Sequence, residues 1–356
     1  MSSDPLKGLR KQIDDLDNEL LRLFNERAKL AQSVGDIKGS TGVYRPEREA
    51  QVLRRLSESN PGPLPKKAIV GLFTEVISAC RAQEEMLSVA CLGPRGTFSE
   101  EALGKHFGGQ VPRVMCASID EVFRNVESGT VGFGVVPVEN STEGGVGRSM
   151  DLLLLTPLAV CGEVVLPVHQ NLLSKVTRHE TLRRIYSHAQ SLAQCNLWLS
   201  QHLPNVERVP VASNAEAARR AADDADAAAI AGRAAAEHYG LSILASSIED
   251  DPNNTTRFFV IGAQQVRPSG RDKTSFVMAS QNKPGAIFDL LEPLARHQVS
   301  MTRLESRPSR TGLWEYVFFV DVEGHQEEAN VDAALADIRA RAGFLKILGS
   351  YPVAVA

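Results

Sequence analysis

At 356 residues the chain is too long for one ordinary hydrophobic core, and about one domain per 100 to 200 residues predicts two or three domains. Its 43% hydrophobic and 23% charged residues are those of a globular chain, and a formal net charge of -4 excludes attraction of the whole molecule to nucleic acid or an anionic membrane. The N-terminal MSSDPLKGLRKQIDDLDNEL has no signal-like apolar block, no apolar stretch reaches the roughly 20 residues of a membrane span, and Cys80, Cys91, Cys116, Cys161 and Cys195 form no CxxC pattern, so a cytoplasmic protein without disulfides, metal or cofactor is expected.

From Leu9 onward Ile13, Leu16, Leu20, Leu23, Leu30, Val34 and Ile37 recur at four- and three-residue steps, which predicts one long amphipathic helix to about Lys38. Pro46 suits the first turn of a second helix through about Leu56, SNPGPLP is a breaker-rich link, and Lys66 to Met86 reads as a third helix. At Leu87 the pattern changes to short β-branched runs between helix-like segments: SVACLG, FGVVPV, RIYSH, VERVPV, AAAIAG and RFFVIG. That alternation is α/β architecture. Thr97 with Glu100, Ser118 with Glu121, and Ser213 with Glu216 are capping boxes that mark loops entering helices. Such strand-loop-helix junctions are where α/β folds bind ligands. After the polar link RPSGRDK the order becomes βαββαβ, the ferredoxin-like pattern. The expected division is therefore an all-α domain over 1–87, an α/β domain over 88–266 and a small α+β domain over 272–356.

Arg27 falls on the apolar stripe, between Leu23 and Leu30. A cation there either snorkels, pairs with a carboxylate such as Glu26 or Asp36, or binds an anionic ligand. Arg10 and Lys38 share a heptad position but lie about 42 Å apart along one helix, too far to hold one metabolite together. An antiparallel partner helix would bring them together, which requires a dimer. The segments GLRKQID, NERAKLA, VGDIK, RPEREAQVL and SACRAQE resemble the all-helical bacterial chorismate mutase family over the first 87 residues. The resemblance implies an intertwined homodimer whose site combines the partner's Arg10 with Arg27, Lys38 and Arg48, and in which Glu49 accepts a hydrogen bond from the substrate hydroxyl. Chorismate rearrangement is pericyclic and needs no nucleophile. Its site has to hold a dicarboxylate in a compact conformer and stabilise the ether oxygen as its bond breaks, a task for Lys38. Glu84 stands where many relatives carry Gln and can donate to that oxygen only when protonated. Mutase activity is therefore expected to rise at mildly acidic pH unless burial keeps Glu84 neutral. Arg45 occupies a position that is acidic in some relatives, and Cys80 replaces a Ser.

In NNTTRFFVIG, Thr256 and Arg257 open an apolar strand, where Thr is also an ordinary strand residue and Arg an ordinary edge charge. VVPVENSTEGGV places Glu139 and Asn140 at a strand end, and YSHAQSLAQC places Ser187 and Gln194 at another, positions equally open to turn and capping chemistry. With GPRGTFS at Gly93 to Ser99, these motifs resemble the prephenate dehydratase family across about residues 88 to 265. The resemblance implies two α/β lobes with the substrate between them and Thr256 as the central residue. Prephenate loses carbon dioxide and its ring hydroxyl together, with aromatisation as the driving force, so the enzyme need only help hydroxide leave. Thr256 would assist the departing oxygen, and Arg257 with the loop amides near Gly93 to Thr97 would hold carboxylates. Asn140, Ser187, Gln194 and Ser213 would position substrate and Glu139 would support proton transfer. Ser213 also fits a plain helix cap, given Glu216.

NKPGAIFDLLEPLA and VSMTRLESRP stand at a helix start and in the next strand of the last domain. A plain ferredoxin-like domain with solvated strand charges is one reading. Gly285 to Phe288 and Glu305-Ser306-Arg307-Pro308 resemble the two phenylalanine-binding motifs of ACT domains in this family, with Ile287 replacing a usual Leu. The resemblance implies an allosteric L-phenylalanine site at a dimer interface made by Gly285, Ala286, Ile287, Glu305, Ser306 and Arg307. Three other readings stay open: a two-lobed solute-binding protein, against which the missing export signal stands; a dehydratase preferring arogenate; and a helical segment decayed to a dimerisation module, against which Arg10, Arg27, Lys38, Arg48 and Glu49 stand.

Overall fold

The computed structural model describes residues 5–38, 44–84, 87–176, 181–280, 283–308 and 316–355. The heptad-spaced residues form one helix, α1 (Pro5–Lys38), of 34 residues, which at 1.5 Å per residue is about 51 Å long. Helix α2 (Pro46–Glu58) packs on α3 (Lys66–Arg81), and α1 touches α3. Helix α3 ends at Arg81 rather than Met86, because the Gln83 and Glu84 amides bond back only three residues, to Cys80 and Arg81, and tighten the last turn. Along α1 the residues Leu9, Ile13, Leu16, Leu20, Leu23, Leu30, Val34 and Ile37 stay exposed. None of the described residues covers this stripe, and an exposed apolar patch of that length marks an interaction surface. No helix among the described residues is long and apolar enough to cross a membrane.

The α/β region folds as two lobes. The first holds β1 (Val89–Leu92), β2 (Arg113–Cys116), β3 (Phe133–Asn140), β4 (Gly144–Gly145) and β5 (Ala159–Pro167) with α4 (Phe98–Phe107), α5 (Ile119–Glu127) and α6 (Gly147–Leu155). The chain then builds the second lobe from β6 (Asn171–Ser174), β7 (Arg184–His188), β8 (Glu207–Val211), β9 (Ala227–Ala231) and β10 (Ser242–Ala245), with α7 (Ala189–Gln194), α8 (Asn196–His202), α9 (Asn214–Asp223) and α10 (Arg233–Tyr239). It returns as β11 (Thr255–Gly262), which inserts antiparallel between β3 and β5, so the first sheet reads β2-β1-β3-β11-β5 and the second β10-β6-β9-β7-β8. The N-cap half of each of the three boxes is made: Thr97, Ser118 and Ser213 accept from the amides of Glu100, Glu121 and Glu216 at the starts of α4, α5 and α9, while Glu100 and Glu121 reach the amides of Gly96 and Ala117, one residue before the cap, and Glu216 pairs with Arg219 and Arg220.

The C-terminal domain has the expected βαββαβ order: β12 (Asp272–Ala279), α11 (Ala286–Arg296), β13 (Met301–Pro308), β14 (Tyr316–Glu323), α12 (Ala329–Arg341) and β15 (Phe344–Pro352), in an antiparallel sheet β13-β14-β12-β15. Its two helices cover one face of that sheet, over Phe276, Leu290, Val320 and Ile338. The other face shares a core with the first lobe, where Val277, Phe319, Leu348 and Tyr351 meet Val136, Val138, Phe259 and Ile261. The two sheets approach closely at Gly349, where any Cβ would strike the backbone of Val160. The opposite face of the first sheet buries Cys91, Val135, Phe258 and Val260 against Phe107 of α4 and Tyr44. Along β11, then, odd-numbered residues face the C-terminal domain and even-numbered ones face away from it.

Candidate functional site

Strands β3 and β11 end side by side, with Thr256 opposite Asn140 and Arg257 opposite Glu139. Asn140 Nδ2 donates to Thr256 Oγ1 at 3.0 Å and to Asn254 Oδ1 at 2.8 Å. Asn140 Oδ1 accepts from the Thr142 and Glu143 amides at 3.1 and 3.2 Å and from the Thr142 hydroxyl at 2.6 Å, which ties the ENSTE turn to the strand. Gln194 closes the chain from the second lobe: its Nε2 donates to Thr142 Oγ1 and its Oε1 accepts from Asn254 Nδ2, both at 3.2 Å. A polar bridge thus joins the lobes at the cleft. Thr256 accepts from Asn140, but its own hydroxyl hydrogen has no acceptor among the described residues. The half-buried Thr256 hydroxyl thus keeps its donor capacity at the cleft.

Glu139 and Arg257 do not face this bridge. Successive strand residues alternate, so both turn to the C-terminal domain. Arg257 Nε lies 2.8 Å from Glu163 of β5, Nη1 lies 2.5 Å from Asp321 of β14 and 3.7 Å from Glu139, and Nη2 donates to the Tyr351 hydroxyl at 2.9 Å. Lys273 completes the cluster at 3.0 Å from Glu163. Burial opposes the charge of Arg257, but Tyr351, Asp321 and Glu163 outweigh it and push the pKa further up. Burial also holds Tyr351 well above the usual phenol range, so it stays neutral. The carboxylate-holding role expected for Arg257 and the proton-transfer role expected for Glu139 therefore do not fit: both groups are spent on the domain interface.

Two further expectations change. Ser187 is fully buried, 3.0 Å from Asn214 Oδ1 and 2.9 Å from the Ile230 carbonyl, so it braces the second lobe from within. Ser213 acts as the cap of α9. In the GPRGTFS loop the Gly93 and Gly96 amides already serve Cys116 O and Glu100 Oε2, whereas those of Arg95 and Thr97 have no partner among the described residues. Sequence reasoning passed over Asn254 and Thr142, although they lie inside the NNTTRF and ENSTE segments and carry the side-chain amide and hydroxyl that bridge a cleft.

A second constellation lies in the helical segment. Arg27 Nη1 sits 2.9 Å from Cys80 Sγ on α3, and Glu26 instead pairs with Arg22, so Arg27 is free of that local carboxylate. Glu49 of α2 accepts from Arg81 Nη1 at 2.7 Å, while Arg81 Nη2 donates to Phe107 O and fastens the segment to α4. Burial raises the Glu49 pKa, against the pull of Arg81. Gly35 leaves room for Glu84, whose Oε2 would lie 3.2 Å from a Cβ there. Arg27, Glu49 and Glu84 thus gather where α1, α2 and α3 meet. Arg48 and Arg10 are exposed, Arg10 toward the far end of α1, and the side chain of Lys38 lies outside the described residues.

In the C-terminal domain Gly285 adopts φ +77° at the start of α11, with Ile287 and Phe288 exposed beside the edge strand β13. Ser306 is exposed on that strand, and its neighbours alternate inward. Glu305 pairs with Arg303 and abuts Gly145, where a side chain would overlap it, and Arg307 lies 3.3 Å from Asp151 of α6. The six expected effector residues are therefore split: Gly285 and Ile287 at the start of α11 and Ser306 on β13 are exposed and Ala286 half-buried, whereas Glu305 and Arg307 face the first lobe. A cavity of about 450 Å³ also opens where α2, α3, α4 and the C-terminal segment meet, beside the 2.5 Å Tyr44–His106 contact. Burial, with Arg81 and Lys105 nearby, takes the His106 pKa down to about 3 and keeps the ring neutral. This cavity contains none of the cleft residues. No group of three or more metal-ligating side chains occurs among the described residues.

Three families match successive parts of the chain. Residues 89–266 match the family described as prephenate dehydratase, 9–85 chorismate mutase type II, and 274–340 the ACT domain. A protein of Neisseria gonorrhoeae named bifunctional chorismate mutase/prephenate dehydratase is 53% identical over 349 residues, covering 97% of this chain and 96% of its own. A Pseudomonas aeruginosa protein of the same name is 51% identical over 360 residues, with 99% of each chain covered. Among solved structures, the prephenate dehydratase of Arthrobacter aurescens in complex with L-Phe superposes with a TM-score of 0.69 at 33% identity, covering 76% of this chain and 93% of that one.

Proposed function

The chain belongs to the bifunctional chorismate mutase/prephenate dehydratase family, and from that premise we propose how its own residues divide the work. It is an enzyme of phenylalanine biosynthesis that rearranges chorismate to prephenate and converts prephenate to phenylpyruvate, carbon dioxide and water, with an ACT domain for regulation. The proposed division is a mutase over 1–87, a dehydratase over 88–266 and the ACT domain over 272–356.

In the dehydratase, Thr256 is the hydrogen-bond donor to the departing ring hydroxyl. The observation that carries this reading is the Thr256 oxygen fixed by Asn140 while its hydrogen lacks a partner among the described residues. As the C–O bond breaks, negative charge grows on the oxygen, and a fixed donor stabilises it without reorganising. Gln194, Asn254 and Thr142 hold the lobes at the spacing the substrate needs. With Arg257 engaged elsewhere, the Arg95 and Thr97 amides are the carboxylate donors in this reading. Supplied with chorismate, Thr256→Ala is expected to form prephenate at the wild-type rate and to accumulate it. Undiminished phenylpyruvate formation by that variant removes Thr256 from the mechanism.

In the mutase, Arg27 clamps a chorismate carboxylate, Lys38 and Glu84 serve the ether oxygen, and Glu49 accepts from the hydroxyl. The partner's Arg10 completes the clamp, and a homodimer is supported by the exposed stripe of α1, which a second copy of the same helix would cover. The relative with bound L-Phe supports L-phenylalanine as effector, placed here at the open edge of Gly285 to Ile287 and Ser306. We place this biosynthetic enzyme in the cytoplasm.

A further inference from the structure

Thr256 and Arg257 are adjacent on β11 and point in opposite directions, one into the cleft and one into the ACT domain. The same holds for their neighbours on β3: Asn140 bonds Thr256, and Glu139 meets Arg257 and lies 3.3 Å from Arg303 of β13. Both members of the proposed catalytic pair are therefore one peptide away from a side chain held by the ACT domain. Arg257 is the hub. Its guanidinium reaches β5 through Glu163, β3 through Glu139, β14 through Asp321 and β15 through Tyr351, and Ser275 of β12 closes a ring between Asp321 and Tyr351 at 2.5 Å on each side.

Two features say that this cluster does more than hold domains together. The β3–β11 ladder carries a bulge at Val138 of β3, between the Arg257–Glu139 and Phe258–Pro137 pairs, while β11 pairs with β5 without a break from Thr255 to Val260. A bulge of this kind re-aims side chains: Glu139 turns to the same side as Val138, where it meets Arg257 and Arg303, and Asn140 is left to the cleft beside Thr256. Stability is also a weak reason for a buried charged cluster, because desolvation offsets much of its attraction and apolar packing of the same volume serves as well. Fixed direction is what a guanidinium with three engaged nitrogens adds.

Building on the reading of Thr256 as donor, we propose that Arg257 is a positioning residue: held by Glu163, Asp321 and Tyr351, it fixes the end of β11 so that Thr256 and Asn140 aim into the cleft. Half of the support for the dehydratase site is thus supplied by the ACT domain. Anything that moves β14 and β15 relative to β11 changes the aim of Thr256, without touching the substrate.

The test uses the full-length enzyme and both activities of each sample. Asp321→Asn and Tyr351→Phe keep shape while weakening the hold on Arg257; Arg257→Ala removes it and Arg257→Lys restores part of it. Misaiming a catalytic group lowers kcat rather than substrate affinity, so Arg257→Ala is expected to lose on the order of tenfold to a hundredfold in dehydratase kcat. The prephenate KM should stay within about twofold, the mutase should be unchanged, Arg257→Lys should recover part of the loss, and Asp321→Asn should fall between. A role in folding alone would lower both activities together and would overturn the proposal, as would a raised KM at constant kcat, which makes Arg257 a substrate ligand. Should Arg257→Ala fail to fold, wild-type kcat in both Asp321→Asn and Tyr351→Phe overturns it equally. Thr256→Ala in the same series separates the two claims: activity retained there removes the donor reading and this proposal with it, whereas activity lost there but kept at Arg257 and Asp321 removes this proposal alone.

Discussion

The helical segment and the two lobes treat their functional residues differently. The lobes close their own cleft: Asn140, Thr142, Gln194, Asn254 and Thr256 form one hydrogen-bonded chain within a single copy. The helical segment gathers Arg27, Glu49 and Glu84 but leaves Arg10 toward the other end of a 34-residue helix, with the apolar face of that helix bare. In the reading proposed above, one polypeptide carries a dehydratase site built within the chain beside a mutase site that a second copy completes. Bifunctionality of this kind gives two activities with separate dependence on assembly, and substitutions that uncouple them measure how separate they are.

The strongest blow to one side only should come from Arg27→Ala. Removing a charged hydrogen-bonding group from a desolvated site is expected to lower mutase kcat/KM on the order of a hundredfold or more, with prephenate turnover unchanged in a direct assay. Next is the pH profile of the mutase. Glu49 accepts most strongly from the substrate hydroxyl when ionised, and burial holds its pKa above the usual carboxylate range, so activity falls as pH drops into that raised range. Glu84 must be protonated to donate, so its share is lost as pH rises. Initial rates across pH 5 to 9 should therefore rise and fall in wild type, and in Glu84→Gln only the alkaline loss should vanish. A Glu84→Gln profile identical to wild type contradicts the donor role.

Smaller effects belong to the lobes. Gln194→Ala breaks two neutral hydrogen bonds of the polar bridge and is expected to raise the prephenate KM on the order of tenfold while leaving the mutase alone. Ser213→Ala should cost only about 1 kcal/mol of stability, from the lost cap of α9, seen as a lower midpoint in thermal unfolding. Its dehydratase kcat and KM should be those of wild type. A KM shift without a stability loss reverses the assignment of Ser213 from cap back to substrate.

Much of this architecture is legible in the amino-acid sequence. The stripe from Leu9 to Ile37, the three capping boxes and the βαββαβ order are local patterns, and local patterns survive folding when nothing competes with them. Strands β2, β6 and β10 are hard to read there because four residues display no period, and β1, equally short, is legible only because its apolar run follows the abrupt change of pattern at Leu87. Strand β5 hides behind Gly162 and Glu163, the latter buried and charged in midstrand because Arg257 and Lys273 reach it from other elements. The same limit misdirects Arg257 and Glu139. Alternation says that they point away from Thr256 and Asn140, but which side is the cleft depends on where the ACT domain packs. Arg81 gives no local signal because its partners, Glu49 and the carbonyl of Phe107, are distant in sequence.

The contrast between the two sites is tested most directly by breaking the stripe. Leu16→Glu with Leu20→Glu places charge on the exposed apolar face of α1 and touches no residue of either site. Light scattering gives the assembly state, and parallel assays on chorismate and prephenate give the two activities of the same sample. The expected result is a loss of helix-paired dimer with mutase activity down on the order of a hundredfold and dehydratase kcat within about threefold of wild type. Full mutase activity in a protein that scatters as a monomer would contradict the shared site.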